Sequence, residues 1–152
     1  MNIAVADDPG AVARCFATMR DLRPHLTDEA DFVARVERQR AGGFLLAYLE
    51  DAGEVRAVAG YRFIESLSAG KFLYVDDLVS RDGERSKGYG GRLFDWLVER
   101  AREAGCETFA LDSGVQRFDA HRFYFRKGMH VVAHHFRMKP DANRPENAKG
   151  RG

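Results

Sequence analysis

Three segments with strand-like side-chain patterning follow one another between residues 44 and 79, separated only by short turn signals. Phe44 to Leu49, Val55 to Ile64 and Phe72 to Val79 are the segments, with Asp51-Ala52-Gly53 and Ser66 to Gly70 between them. Connections this short join antiparallel neighbours, so the middle of the chain is expected to be a meander. A sheet has two faces to cover, and helical periods on either side supply the cover. Upstream, Asn2 to Val5 reads as a short strand. Asp7, Asp8 and Pro9 then start a helix whose buried stripe is Val12, Ala13, Phe16 and Met19. Arg23-Pro24 ends it, and Thr27-Asp28-Glu29 starts a second helix, with Phe32, Val33 and Val36 inward.

Downstream, Leu93, Phe94, Leu97, Val98 and Ala101 mark one face of a helix that Gly105 stops. Cys106 to Leu111 reads as a strand covered on both faces, Gln116 to Lys127 as a helix, and Val131 to Met138 as a closing strand. The fold class is therefore α/β of the α+β kind. A mixed, mostly antiparallel central sheet carries helices on both faces, with local parallel pairing in the later strand-helix-strand part. One domain is expected over residues 1–138. Residues 139–152 (KPDANRPENAKGRG) have no large apolar side chain and are expected to be a disordered tail.

Charge and cysteines narrow the partners. The 24 basic and 23 acidic residues leave a formal charge of +1, without the basic excess of a nucleic-acid or anionic-membrane binder. Cys15 and Cys106 lie far apart with no metal-ligand spacing, which reads as two reduced thiols in a cytoplasmic protein. No cationic-then-apolar leader stands at the N-terminus and no apolar run approaches the roughly 20 residues of a membrane span.

The motif that carries chemistry is Arg85-Ser86-Lys87-Gly88-Tyr89-Gly90-Gly91-Arg92-Leu93, between a strand and a helix. A nucleotide-triphosphate loop of the G-x-x-x-x-G-K-[ST] type fails, because Tyr89-Gly90 stand where lysine and a hydroxyl are required. A G-x-G-x-x-G dinucleotide loop fails at Leu93. Arg85-x-x-Gly88-x-Gly90 ahead of a helix suits a pyrophosphate: free backbone N–H groups converge there, and Arg85, Lys87 and Arg92 add charge.

In this motif the chain resembles the GNAT N-acetyltransferase superfamily, whose R/Q-x-x-G-x-G/A signature binds the pyrophosphate of acetyl-coenzyme A. A second block, Ala120-His121-Arg122-Phe123-Tyr124-Phe125-Arg126-Lys127-Gly128-Met129, matches the family at the right separation. The resemblance implies acetyl transfer from acetyl-CoA directly to a primary amine, on a small cationic molecule or on a protein lysine or N-terminus. It implies cofactor contacts at Leu78, Val79, Arg85, Ser86, Lys87, Gly88, Tyr89 and Gly90, with pantetheine pairing to Leu78 and Val79 like an added strand. Arg117 stands where many members have asparagine, on the side of the cofactor arm. Tyr124 matches the tyrosine proposed to protonate the departing thiolate. The N-terminal helices, with Arg20, Arg23 and His25 between them, would shape the acceptor side.

An amine arrives protonated and needs a base. Asp76 and Asp77 are the candidates, with Glu65 on the preceding strand; alternation puts Asp76 and Asp77 on opposite faces, so one at most would enter a given cleft. No metal site is expected: His134-His135 diverge on a strand, and His121 shares a helix face with Tyr124 without further ligands. Asp112-Ser113-Gly114 lacks a nucleophile elbow. A non-catalytic acyl-CoA sensor using the same pocket is the alternative function, and edge-strand pairing into a homodimer is left open.

Overall fold

Ala52 and Gly53, at φ 53° and 78°, close a two-residue turn between strands β2 (Leu45–Asp51) and β3 (Glu54–Ser66). Two consecutive residues in the left-handed region give the twist that tight hairpins need. Gly70, at φ 63°, starts β4 (Gly70–Ser80), where Ser66 Oγ accepts from Ala69 N. These hairpins form the meander expected from the sequence. The strand β1 (Asn2–Val5) adds antiparallel to β2, and β5 (Thr108–Leu111) pairs parallel to β4, giving a five-stranded sheet in the order β1-β2-β3-β4-β5. The computed structural model describes residues 1–81 and 87–143. Contacts gather the chain into two units, Met1–Leu111 and Asp112–Gly152.

In the first unit the sheet is covered on both faces. One face carries α1 (Pro9–Arg14), α2 (Phe16–Leu22) and α3 (Glu29–Arg40), whose Val12, Phe16, Met19, Phe32 and Val36 pack with Leu46, Tyr48, Val58 and Val79. The other carries α4 (Tyr89–Glu103), whose Leu93, Leu97 and Ala101 pack with Ala47, Leu49, Ala59, Leu73 and Val75. Leu46 and Tyr48 face one way and Ala47 and Leu49 the other, as period-two strands require. The expected first helix is split at Cys15, whose buried thiol donates to Ala11 O; desolvation raises that thiol to about 12, so it is an inert packing group. Asp8 and Asp28 cap α1 and α3, accepting from Ala11 N and Ala30 N at 2.9 Å each. Of Thr27-Asp28-Glu29, it is thus Asp28 that caps α3.

In the second unit, α5 (Phe118–Arg126) is the expected helix, two residues shorter at the start. The expected strand at Val131 to Met138 is absent; no ladder forms over those residues. Alternating side chains do not make a strand without a neighbour to bond, and the second unit contains no strand among its described residues. Pro140–Asn143 forms a short 3-10 turn at the head of the expected tail, and residues 144–152 lie outside the described ones.

Candidate active site

The register of β4 against β3 breaks once. Gly60 stands opposite Asp77 and Tyr61 opposite Val75, so Asp76 is an extra residue with no partner of its own. This is a β-bulge, and it changes which way the strand faces. Leu73 and Val75 bury with α4, whereas Val79 buries with α1–α3. Because the phase changes at Asp76, Asp76 and Asp77 both line one cavity, correcting the expectation that alternation would separate them. Glu65 lies near the other end of the hairpin, exposed and opposite Lys71, and does not line this cavity.

Two arginines hold the carboxylates. Arg23 Nε donates to Asp77 Oδ1 at 2.8 Å and its Nη2 to the Asp76 carbonyl at 3.2 Å, so one guanidinium spans the bulge. Arg62 Nε donates to Asp76 Oδ2 at 2.7 Å, its Nη2 to Gln39 Oε1 at 3.2 Å, and its guanidinium lies over the Phe44 ring. Burial pushes the Asp77 carboxyl above the usual carboxylate range, against the opposing hydrogen bond and charge of Arg23. Gly60 makes the room: a Cβ there would stand 2.6 Å from the Phe44 ring and 2.7 Å from Asp77 Oδ2. The cavity is about 370 Å³. Its apolar wall is Met19, Leu26, Phe32, Val36 and Phe44, and its polar groups beside the aspartates are Arg23, His25, Arg35 and Gln39.

β4 is also open along one edge. Its pairing with β5 runs from Phe72 opposite Thr108 to Val75 opposite Leu111, and β5 ends there. From Asp77 to Ser80, through Leu78 and Val79, β4 bonds to β3 alone among the described strands. Unpaired main-chain groups on such an edge are a template for an extended ligand.

Beyond that edge lies the glycine turn. Gly88 caps α4 in the left-handed region, φ 79° and ψ 9°, with nothing within 4 Å of where a Cβ would stand. Gly90 packs on the end of β4, where a Cβ would come within 2.6 Å of Ser80 Oγ. Gly88 supplies no side-chain cap, and among the described residues no side chain caps the first turn of α4, which carries the positive end of the helix dipole. Lys87 is exposed. The side chain of Tyr89 is buried and donates from its hydroxyl to Asp51 Oδ2 at 2.7 Å, which lowers the Asp51 pKa and anchors the start of α4 to the β2–β3 turn. Tyr89 therefore offers a ligand its main chain. Arg85 and Ser86 lie outside the described residues.

In the second unit, Tyr124 stands on α5 with its ring against Phe123. Burial raises its phenol above the ordinary value, opposed by the charge of Arg117, which caps α5 without a side-chain hydrogen bond. His121 Nε2 lies 2.7 Å from Gly114 O, and His135 Nδ1 lies 2.8 Å from Asp112 Oδ2, so both histidines are occupied locally. Sequence reasoning missed Gly60, Arg62, Arg35, Gln39 and Phe44. A glycine inside an otherwise β-branched and aromatic strand was the available signal for the bulge.

Comparison with known proteins bears on the family and the fold. The model of the acetyltransferase (GNAT) family matches residues 12–129. The chain is 38% identical over 130 residues to the uncharacterized N-acetyltransferase YhdJ of Bacillus subtilis, covering 84% of this chain and 90% of that one. It is 40% identical over 64 residues to the aminoalkylphosphonate N-acetyltransferase of Salmonella typhimurium, 42% of this chain and 40% of the relative. A solved transcriptional regulator from Bacillus halodurans superposes with a TM-score of 0.80 at 22% identity, covering 91% of this chain and 98% of that one. The ribosomal-protein-alanine N-acetyltransferase of Brucella melitensis gives 0.79 at 13%, covering 91% and 99%. At such identities these two share the fold.

Proposed function

The chain belongs to the acetyltransferase (GNAT) family and is an acetyl-CoA-dependent N-acetyltransferase, and from that premise we propose how its own residues divide the work. The observation that carries the proposal is the convergence of the open edge of β4 and the two aspartates at one bulge. The turn at Lys87 to Gly90, with Arg85 and Ser86 ahead of it, holds the pyrophosphate of the co-substrate through main-chain N–H groups. Glycine at 88 and 90 keeps side chains out of the way. The main chain at Leu78 and Val79 pairs with the pantetheine amides, and an N–H there faces the thioester oxygen. One such donor to a developing oxyanion is typically worth about 2.7–4 kcal/mol of barrier. Arg117 is assigned a contact with the cofactor arm by its motif position alone.

Asp77 is the base. Its raised pKa fits a group that must take a proton from an ammonium, directly or through a water, and Arg23 holds it in place. Asp76, held by Arg62, sets the local field. The neutral amine then attacks the thioester carbon, the amide forms, and the sulfur leaves with the bonding pair. Tyr124 supplies the proton to that thiolate; a phenol held above its ordinary pKa is fully protonated at neutral pH. Among the described residues no helix is long and apolar enough to cross a membrane, and we place the reaction in the cytoplasm. A free-thiol assay with acetyl-CoA and a panel of amines tests the reading. Thiol release that requires both the amine and Asp77 supports it, whereas binding of acetyl-CoA without release over the whole panel refutes it.

A further inference from the structure

The cavity beside the bulge says more about the acceptor than that it is an amine. Each aspartate already has a cation: Asp77 has Arg23, and Asp76 has Arg62. The remaining polar lining is Arg35, His25 and Gln39. Arg35 uses its Nε on Asp31, one turn back on the exposed side of α3, and its terminal nitrogens bond nothing among the described residues. His25, exposed at the cavity rim, likewise makes no hydrogen bond among the described residues. Arg35 thus leaves its terminal N–H groups without a protein partner among the described residues, at the cavity wall formed by α3.

We infer that the acceptor is a small amine carrying an oxyanionic acid group, bound with its amine at Asp77 and its acid at Arg35 and His25. A second ammonium, as in a diamine, would meet Arg35 with like charge, which disfavours binding. A carboxylate or sulfonate there would receive the two terminal N–H groups of a planar guanidinium, a fork matched to such oxygens. The cavity's 370 Å³ lies near the lower end of ordinary small-molecule sites. Its wall of Leu26, Phe32, Val36 and Phe44 suits a short apolar spacer between the two charges.

The inference rests on the transferase reading above, and the test separates the two. Thiol release from acetyl-CoA is followed with glycine, β-alanine, 4-aminobutyrate and taurine, against β-alaninamide, n-butylamine, 1,4-diaminobutane and a lysyl peptide. The expected result is a higher kcat/KM for an acid-bearing amine than for its uncharged or cationic counterpart. The best spacer length reports the distance from Asp77 to Arg35. In Arg35→Gln, the ratio of kcat/KM for β-alanine over β-alaninamide should fall by roughly tenfold or more, the usual effect of losing hydrogen bonds to a charged group. Arg35→Lys should recover part of the ratio, because the charge returns without the fork. Preference for the diamine or the peptide, or a ratio unmoved in Arg35→Gln, overturns the inference and leaves the transferase reading standing. Release from none of the amines overturns both.

Discussion

Gly60→Ala should injure the site without replacing any of its polar groups. The added Cβ would sit 2.6 Å from Cε2 and Cζ of Phe44 and 2.7 Å from Asp77 Oδ2, all inside ordinary contact. Phe44 is 5% exposed and cannot swing into solvent, so the easier relief is a shift of the Asp77 carboxylate toward the cavity. That shift works against the 2.8 Å bond from Arg23. Overpacking of this kind costs about 1–3 kcal/mol, and replacing a strand glycine returns about 0.5–1 kcal/mol, for a net loss of roughly 0.5–2 kcal/mol. In a chain of this size each kcal/mol is worth roughly 2–4 °C, so thermal unfolding should shift down by a few degrees. Turnover should fall further than stability explains, because the base has moved. Phe44→Leu in the same chain should restore part of both, since it removes the harder of the two obstacles; the two changes should be non-additive. Unchanged melting and unchanged kcat in Gly60→Ala would refute the claim that this glycine makes room for the carboxylate.

Asp77→Asn should lower kcat by about 10²–10⁴, the usual worth of a positioned base, measured by thiol release at saturating substrates. Its stability effect has a sign. The folded pKa of Asp77 is raised, so the wild type gains stability as pH falls through that value towards the unfolded value near 3.8, and loses it as pH rises. The variant lacks this dependence, so its melting temperature relative to wild type should be highest near neutral pH and the gap should move in favour of wild type on acidification. Tyr124→Phe should cut kcat at least roughly tenfold while acetyl-CoA affinity by calorimetry stays within about twofold; equal losses in both would assign the ring to packing. Gly88→Glu should abolish the thermal shift given by acetyl-CoA. Gly88→Ala, which meets no neighbour but forces a side chain to φ 79°, should cost about 1–2 kcal/mol in denaturant unfolding.

The elements written in local chemistry were legible. The hairpin turn at Ala52-Gly53, the stripe of α4 and the start of that helix at the glycine turn all follow from residues within a few positions of one another. What was not legible depends on partners. The bulge needs Gly60 and Asp76 compared across two strands, and the ion pairs Arg23–Asp77 and Arg62–Asp76 join residues 54 and 14 positions apart. The two aspartates were expected on opposite faces and line one cavity instead, because alternation holds only where the ladder is unbroken. Val131 to Met138 failed for the related reason that a strand is a property of a pair.

The bulge at Asp76 also has a mechanical side. Because the strand changes face there, β4 is pinned in two separate cores, by Leu73 and Val75 beside α4 and by Val79 beside α1–α3. The carboxylates therefore sit at the fulcrum between two clamps, where neither layer can slide without turning them. A shift in either core would turn the strand at Asp77, so the alignment of the proposed base depends on packing on both sides of the sheet at once. By the same token, core substitutions far from the cavity, on α4 as much as on α2, are where slow drifts in activity should first be sought.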